Sequence, residues 1–174
     1  MRRFEITLGL AGLIAVASGA SQLARYAMFQ SAAAAAPRLV VAHFGTRVLG
    51  ELSIPRLHLS LPILDNDDET SLSFSVGHIP GTSVIGSLGN AAIAGHRDTS
   101  FRPLRNIRIG DRIETHTGQH AVYIVQTIRI VAPSDTSLLR ESSSPLLTLV
   151  TCYPFNYVGS APRRFVIQAQ MTAN

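Results

Sequence analysis

The chain has 174 residues, a formal net charge of +4, one cysteine and no tryptophan, and 46% of its residues are hydrophobic. Its basic residues are scattered, as at Arg47, Arg56, Arg97, Arg102, Arg105, Arg108, Arg112 and Arg129, with no basic helix and no aromatic–basic recognition motif. The charge therefore does not point to nucleic acid, and is more simply explained by a surface that meets anionic polymers.

The N-terminus carries Arg2 and Arg3 and then runs apolar from 6 to 24, broken only by small or uncharged polar residues. At about 1.5 Å per residue such a helix reaches close to the ~30 Å hydrocarbon layer. Arginines before it predict an inside N-terminus (1–5), a signal anchor (6–24) and an exported remainder. Ser18-Gly19-Ala20 also offers a cleavage site for a signal peptide, and both readings export the domain beyond it. The segment 25–46 contains Ser31-Ala32-Ala33-Ala34-Ala35-Ala36-Pro37, low in complexity and closed by a helix-resisting proline, and reads as a stem.

From 47 to 174 short alternating runs separated by turn residues replace the helical pattern. The predicted strands are 47–54, 57–64, 91–95, 111–117, 121–131, 146–152 and 164–171, and the predicted short helices are 67–74 and 101–106. Gly77, Pro80-Gly81, Gly86, Gly89-Asn90, Gly110 and Gly118 punctuate them. About 125 residues are enough for one core, and many short strands in one domain predict a mainly all-β barrel.

The single cysteine closes Thr148-Leu149-Val150-Thr151-Cys152. In an exported chain a lone thiol forms no internal disulfide, which leaves a nucleophile, an intermolecular bridge or a buried small residue. A cysteine nucleophile needs a group that protonates the leaving amine, which His96 in Ala94-Gly95-His96-Arg97-Asp98 can supply. It also needs a donor for the oxyanion, and Arg164 in Pro162-Arg163-Arg164-Phe165 fits if its strand pairs beside the one ending at Cys152. Strand alternation lets only one of Arg163 and Arg164 face that site. Asp98 is a possible orienting carboxylate for His96, or a loop cap. One cysteine and no suitably spaced histidine pair exclude a tetrahedral zinc site, and no cofactor is expected. Asp65-Asn66-Asp67-Asp68-Glu69 lacks the EF-hand pattern and precedes a predicted helix, where acids favour the dipole.

The string from Thr148 to Ile167 resembles the Thr-Leu-x-Thr-Cys signature and downstream arginine of the sortases, and Ala94 to Leu104 resembles their histidine block. Tyr153-Pro154-Phe155, the bridge 157–162 and Val76-Gly77-His78-Ile79-Pro80-Gly81-Thr82 are similar to class D type members, over about 50 to 170. Members of that type often carry a tryptophan near Asp135-Thr136-Ser137, which this chain lacks.

The resemblance implies an eight-stranded β-barrel with one or two short helices behind an N-terminal transmembrane helix. It implies a cysteine transpeptidase in which Cys152 attacks a threonine-like carbonyl of a C-terminal sorting signal, His96 transfers protons, and Arg164 rather than Arg163 holds the oxyanion or the substrate backbone. Thr151 and His78 are expected as substrate-contacting residues; His43, His58, His116 and His120 are not expected at the site. The implied partners are a secreted protein bearing the sorting signal, an amine acceptor of the envelope, and the membrane. An L,D-transpeptidase or hydrolytic cysteine peptidase is the rival enzyme, although its signature places Gly before the cysteine, where Thr151 stands. A noncatalytic envelope-binding module is the third reading, against which the chain retains Cys, His and Arg together.

Overall fold

The computed structural model describes residues 20–21, 23–29 and 46–172. Eight strands close a barrel in the order β1-β2-β3-β4-β7-β8-β6-β5. They are β1 (Val48–Ile54), β2 (Leu59–Leu64), β3 (Val76–His78), β4 (Asn90–Ala94), β5 (Arg112–His116), β6 (His120–Val131), β7 (Leu146–Tyr153) and β8 (Arg163–Met171). β2/β3 and β4/β7 are parallel, and the other neighbours are antiparallel.

Alternation builds the wall. In β7, Leu147, Leu149 and Thr151 are buried, and the first two join Leu52, Ile54, Ile63, Ile93, Ile113, Tyr123 and Ile167 in one core. Successive side chains of a strand point to opposite faces, so Val150 and Cys152 turn to the outside of the wall. Tyr123 is the largest fully buried side chain among the described residues, and its hydroxyl accepts the Gly86 N–H at 3.0 Å; burial pushes its pKa up.

The seven strands expected from alternation are present, with ends shifted by one or two residues. β3 was not expected, because three residues containing a glycine read as a turn. Gly77 is what lets it form: a Cβ there would run into the carbonyl of Asn66. Helix α1 (Glu69–Leu72) is one turn rather than 67–74, capped by Asp68, whose carboxylate accepts the Ser71 N–H at 2.8 Å. The segment expected to be helical at 101–106 is a 3₁₀ helix, Arg102–Asn106, and two more such turns lie at Pro55–Leu57 and Ser137–Leu139.

The anchor expected over 6–24 falls almost wholly outside the described residues, among which no helix is long and apolar enough to cross a membrane. The helical residues 23–29 reach the barrel through Phe29, which is buried with Leu64 and Phe74 and stacks on the Phe74 ring at 5.2 Å. Most of the expected stem also lies outside the described residues.

Candidate active site

β8 pairs antiparallel with β7, and the register sets Cys152 opposite Arg164 and Tyr153 opposite Arg163. Directly opposed residues share a face of the sheet. Arg164 and Cys152 therefore share the outer face, and the exposed Arg163 takes the other.

His96 follows the end of β4, and β4 runs parallel to β7 with Ala94 beside Val150. The two residues before Cys152 hold the residue before His96. The Gly95 N–H donates to the Val150 carbonyl at 3.2 Å, and the Thr151 hydroxyl donates to the Gly95 carbonyl at 2.7 Å. Beyond His96 the chain turns back, with the Phe101 N–H on the His96 carbonyl at 2.9 Å and the Phe101 ring fully buried. Gly95 permits this packing, since a Cβ would stand 2.7 Å from the Phe101 ring and 2.9 Å from Val76.

His96, Cys152 and Arg164 line one open cleft of about 600 Å³, together with Glu69, Arg97 and Ala161. Glu69, highly exposed in the first turn of α1, brings Oε1 to 3.7 Å from His96 Nε2. This carboxylate, and not Asp98, stands within ion-pairing distance of His96 Nε2 among the described residues; Asp98 also borders the cleft. The Arg164 guanidinium rests on backbone carbonyls, Ala161 at 3.4 Å and Arg163 at 3.2 Å. A partly buried thiol, an imidazole and the permanent cation of Arg164 around one opening are the parts that acyl transfer through an oxyanion requires.

Thr151 and His78 do not line the cleft. Thr151 is only 3% exposed, and its hydroxyl is committed to Gly95. His78 Nε2 lies 2.9 Å from the Ser83 carbonyl and 3.1 Å from the Thr82 hydroxyl, and its ring borders a separate cavity with Leu49, Val84 and Ile85. Of the other histidines, His116 and His120 stack at 4.4 Å on the β5–β6 hairpin, where His120 meets Glu114 at 3.1 Å. Glu69 and Arg97 escaped the sequence reading. Adjacency to His96 marks Arg97, whereas nothing in the sequence places Glu69 beside a residue so distant along the chain. No group of three or more His, Cys, Asp or Glu side chains suited to a metal occurs among the described residues.

The outer face behind the cysteine is fixed by polar contacts. The Thr148 hydroxyl donates to Asn90 Oδ1 at 2.7 Å, and Asn90 Nδ2 donates to the carbonyls of Leu138 and Arg140 at 2.9 and 3.0 Å. Gln168 of β8 also donates to Leu138, at 3.1 Å. The tryptophan-free segment before β7 is thereby held against β4 and β8.

Comparison with known proteins agrees with this architecture. The sortase domain family model matches residues 52–172. The chain is 38% identical over 121 residues to sortase D of Bacillus subtilis, a match covering 68% of this chain and 61% of that protein, so it spans less than two thirds of that relative's length. The structure of sortase C1 from Streptococcus agalactiae superposes with a TM-score of 0.66 at 29% identity, over 73% of this chain and 68% of that one. A lid mutant of sortase A from Corynebacterium diphtheriae gives a TM-score of 0.70 at 24% identity, over 91% of this chain and 95% of that one, a likeness of fold. With its barrel and with a family model matched over most of its length, the chain belongs to the sortase family.

Proposed function

We propose that the chain is a membrane-anchored cysteine transpeptidase of the cell envelope that cleaves a C-terminal sorting signal and transfers the acyl group to an amine. The observation that carries this reading is the pairing of Cys152 with Arg164 across β7/β8 in a cleft that also holds His96.

The Cys152 thiolate attacks the carbonyl carbon of a threonine-like residue of the sorting peptide. A C–S bond forms, the carbonyl oxygen becomes an oxyanion, and Arg164 is the donor for it. His96 as imidazolium gives its proton to the departing amine as the C–N bond breaks, leaving a thioester on Cys152. An incoming amine then attacks the thioester, His96 takes the amine's proton, and the thiolate leaves. Thr151 serves from behind the cleft by holding Gly95, and so the start of the His96 turn, on β7.

The apolar run 6–24 behind Arg2 and Arg3 serves as a single-pass anchor, which places residues from Ala32 onward outside the cytoplasm. The partners are then a secreted protein bearing the sorting signal and an amine acceptor of the envelope.

The test is incubation of the protein with a Leu-Pro-x-Thr-like peptide library, with and without an amine, read by mass spectrometry. A peptide-acyl adduct on Cys152 that passes to the amine is the expected result. Cleavage that persists in Cys152→Ala would overturn the assignment.

A further inference from the structure

Arg97 follows the proposed proton-transfer residue, yet its guanidinium is directed at another element. Nη2 donates to the Tyr157 carbonyl at 2.9 Å and to the Gly159 carbonyl at 3.0 Å. Its guanidinium carbon lies 5.7 Å from the centre of the Tyr157 ring. All three contacts fall on the loop 154–162 that joins β7 to β8.

This placement is specific rather than incidental. Nη1 is buried with no hydrogen-bond partner among the described residues. A surface arginine free to choose its rotamer keeps all its nitrogens solvated, because a buried donor left without an acceptor is costly. Arg97 accepts that loss to reach the two loop carbonyls. The loop is held at its start by Phe155, which packs on the core and against the Phe165 ring at 5.2 Å, and near its end by the Arg164 bond to the Ala161 carbonyl; Arg97 holds the stretch between them. Val158 is 98% exposed at its tip, and Gly159 takes a φ of +95°, which few residues other than glycine adopt.

The pinned loop is a wall of the site. Gly159, Ser160 and Ala161 line the cleft with Cys152, and the Ala161 carbonyl receives the Arg164 guanidinium. The chain of contact runs from the histidine turn through Arg97 to Tyr157 and Gly159, and from Ala161 to Arg164.

We propose that Arg97 is a positioning residue, a latch that fixes the β7–β8 loop against the histidine turn and so sets the width of the cleft that an extended peptide enters. This rests on the reading of the cleft as the peptide site. Arg97 acts through the loop, so its loss weakens peptide capture and spares the chemical step.

The experiment compares the full chain with Arg97→Ala and Arg97→Lys by amide hydrogen exchange and by steady-state kinetics on one sorting peptide. In Arg97→Ala the amides of 157–161 should exchange about tenfold faster, and KM should rise about tenfold with kcat changed less than about threefold, the scale of losing charged-donor hydrogen bonds at a partly exposed site. Arg97→Lys keeps a cationic donor and should restore part of both. Tyr157→Leu removes only the ring contact and should leave loop exchange near the parental rate.

Unchanged loop exchange in Arg97→Ala overturns the latch, as does a fall in kcat with KM and exchange unchanged, which would put Arg97 on the reacting atoms. If melting curves show that Arg97→Ala does not fold, Arg97→Lys carries the same comparison. A parental protein that cleaves no peptide would sink the transpeptidase reading and leave the exchange measurement to decide the latch.

Discussion

The Thr151 hydroxyl donates to the Gly95 carbonyl at 2.7 Å, and this bond joins the residue before the cysteine to the residue before the histidine. Two strands distant in sequence are thereby locked in one register where their chemistry meets. Thr151→Val keeps the β-branched shape and removes the donor, leaving a buried carbonyl without its partner. The expected loss of stability is about 1–3 kcal/mol, read by denaturant unfolding, with a fall in turnover that Thr151→Ser largely restores. Unchanged stability and turnover in Thr151→Val would show that the bond is dispensable.

Gly95→Ala tests the same junction by crowding. The new methyl would stand 2.7 Å from the Phe101 ring and 2.9 Å from Val76, both fully buried and unable to withdraw. Overpacking of this kind costs about 1–3 kcal/mol, and the histidine turn has to move to relieve it. We expect a lower melting temperature and a loss of Cys152 acylation larger than the loss of folded protein. A variant with parental acylation would show that the turn accommodates the methyl without displacing His96.

Residues whose chemistry admits few substitutes were legible in the sequence. A lone cysteine, a histidine after Ala-Gly and an arginine on a β-run stand out in the sequence, and the structure brings these three to one cleft. Strand alternation was legible for the same reason, since it records which side chains meet the core. Contacts created by the closure of the barrel were not legible. Glu69 reaches His96 only because β3 inserts between β2 and β4, and β3 itself depends on a backbone approach at Gly77 that no periodicity records. His78 shows a different gap. It pairs with Ile93, and from there antiparallel β3 leads away from the end of β4 that precedes His96, so nearness in a family block did not fix which cavity it borders.

Acid stability should depend on Arg56 and Asp111. Arg56 Nε and Nη2 donate to the two carboxylate oxygens of Asp111, each at 2.5 Å, joining the 3₁₀ turn at Pro55–Leu57 to the start of β5. The Arg56 hydrogen bonds hold the Asp111 carboxyl below its ordinary range, assisted by the Arg108 N–H. A depressed carboxyl stabilises the fold above its unfolded value of about 3.9 and loses that contribution as pH falls through the folded value. Arg56→Gln should therefore lower the melting temperature by a few degrees at neutral pH, and the difference should shrink below about pH 4. A constant difference from pH 7 down to pH 3 would assign the effect to packing instead of charge.

Topology is a separate prediction. A reporter active only after export, fused to the C-terminus, should be active, and N-terminal sequencing of the membrane fraction should find residues preceding Ser21. A mature terminus at Ser21 would replace the anchor with a cleaved signal peptide.

The two adjacent arginines and His96 should fail in different ways. Arg164 stands opposite Cys152 and lines the cleft, whereas Arg163 stands opposite Tyr153 on the other face. Arg164→Lys retains the charge and loses the planar fork that can donate at once to an oxyanion and a backbone carbonyl, so most activity should go. Arg163→Lys should stay within about threefold of the parent, as exposed substitutions away from a site usually do. His96→Asn should lower turnover by about 10²-fold to 10⁴-fold, the scale of general acid–base catalysis, with a smaller change in KM. Kinetics with one peptide and one amine acceptor separate the three. Near-parental turnover in Arg164→Lys together with collapse in Arg163→Lys would exchange the roles of the two arginines, and it would require β8 to slip by one residue against β7.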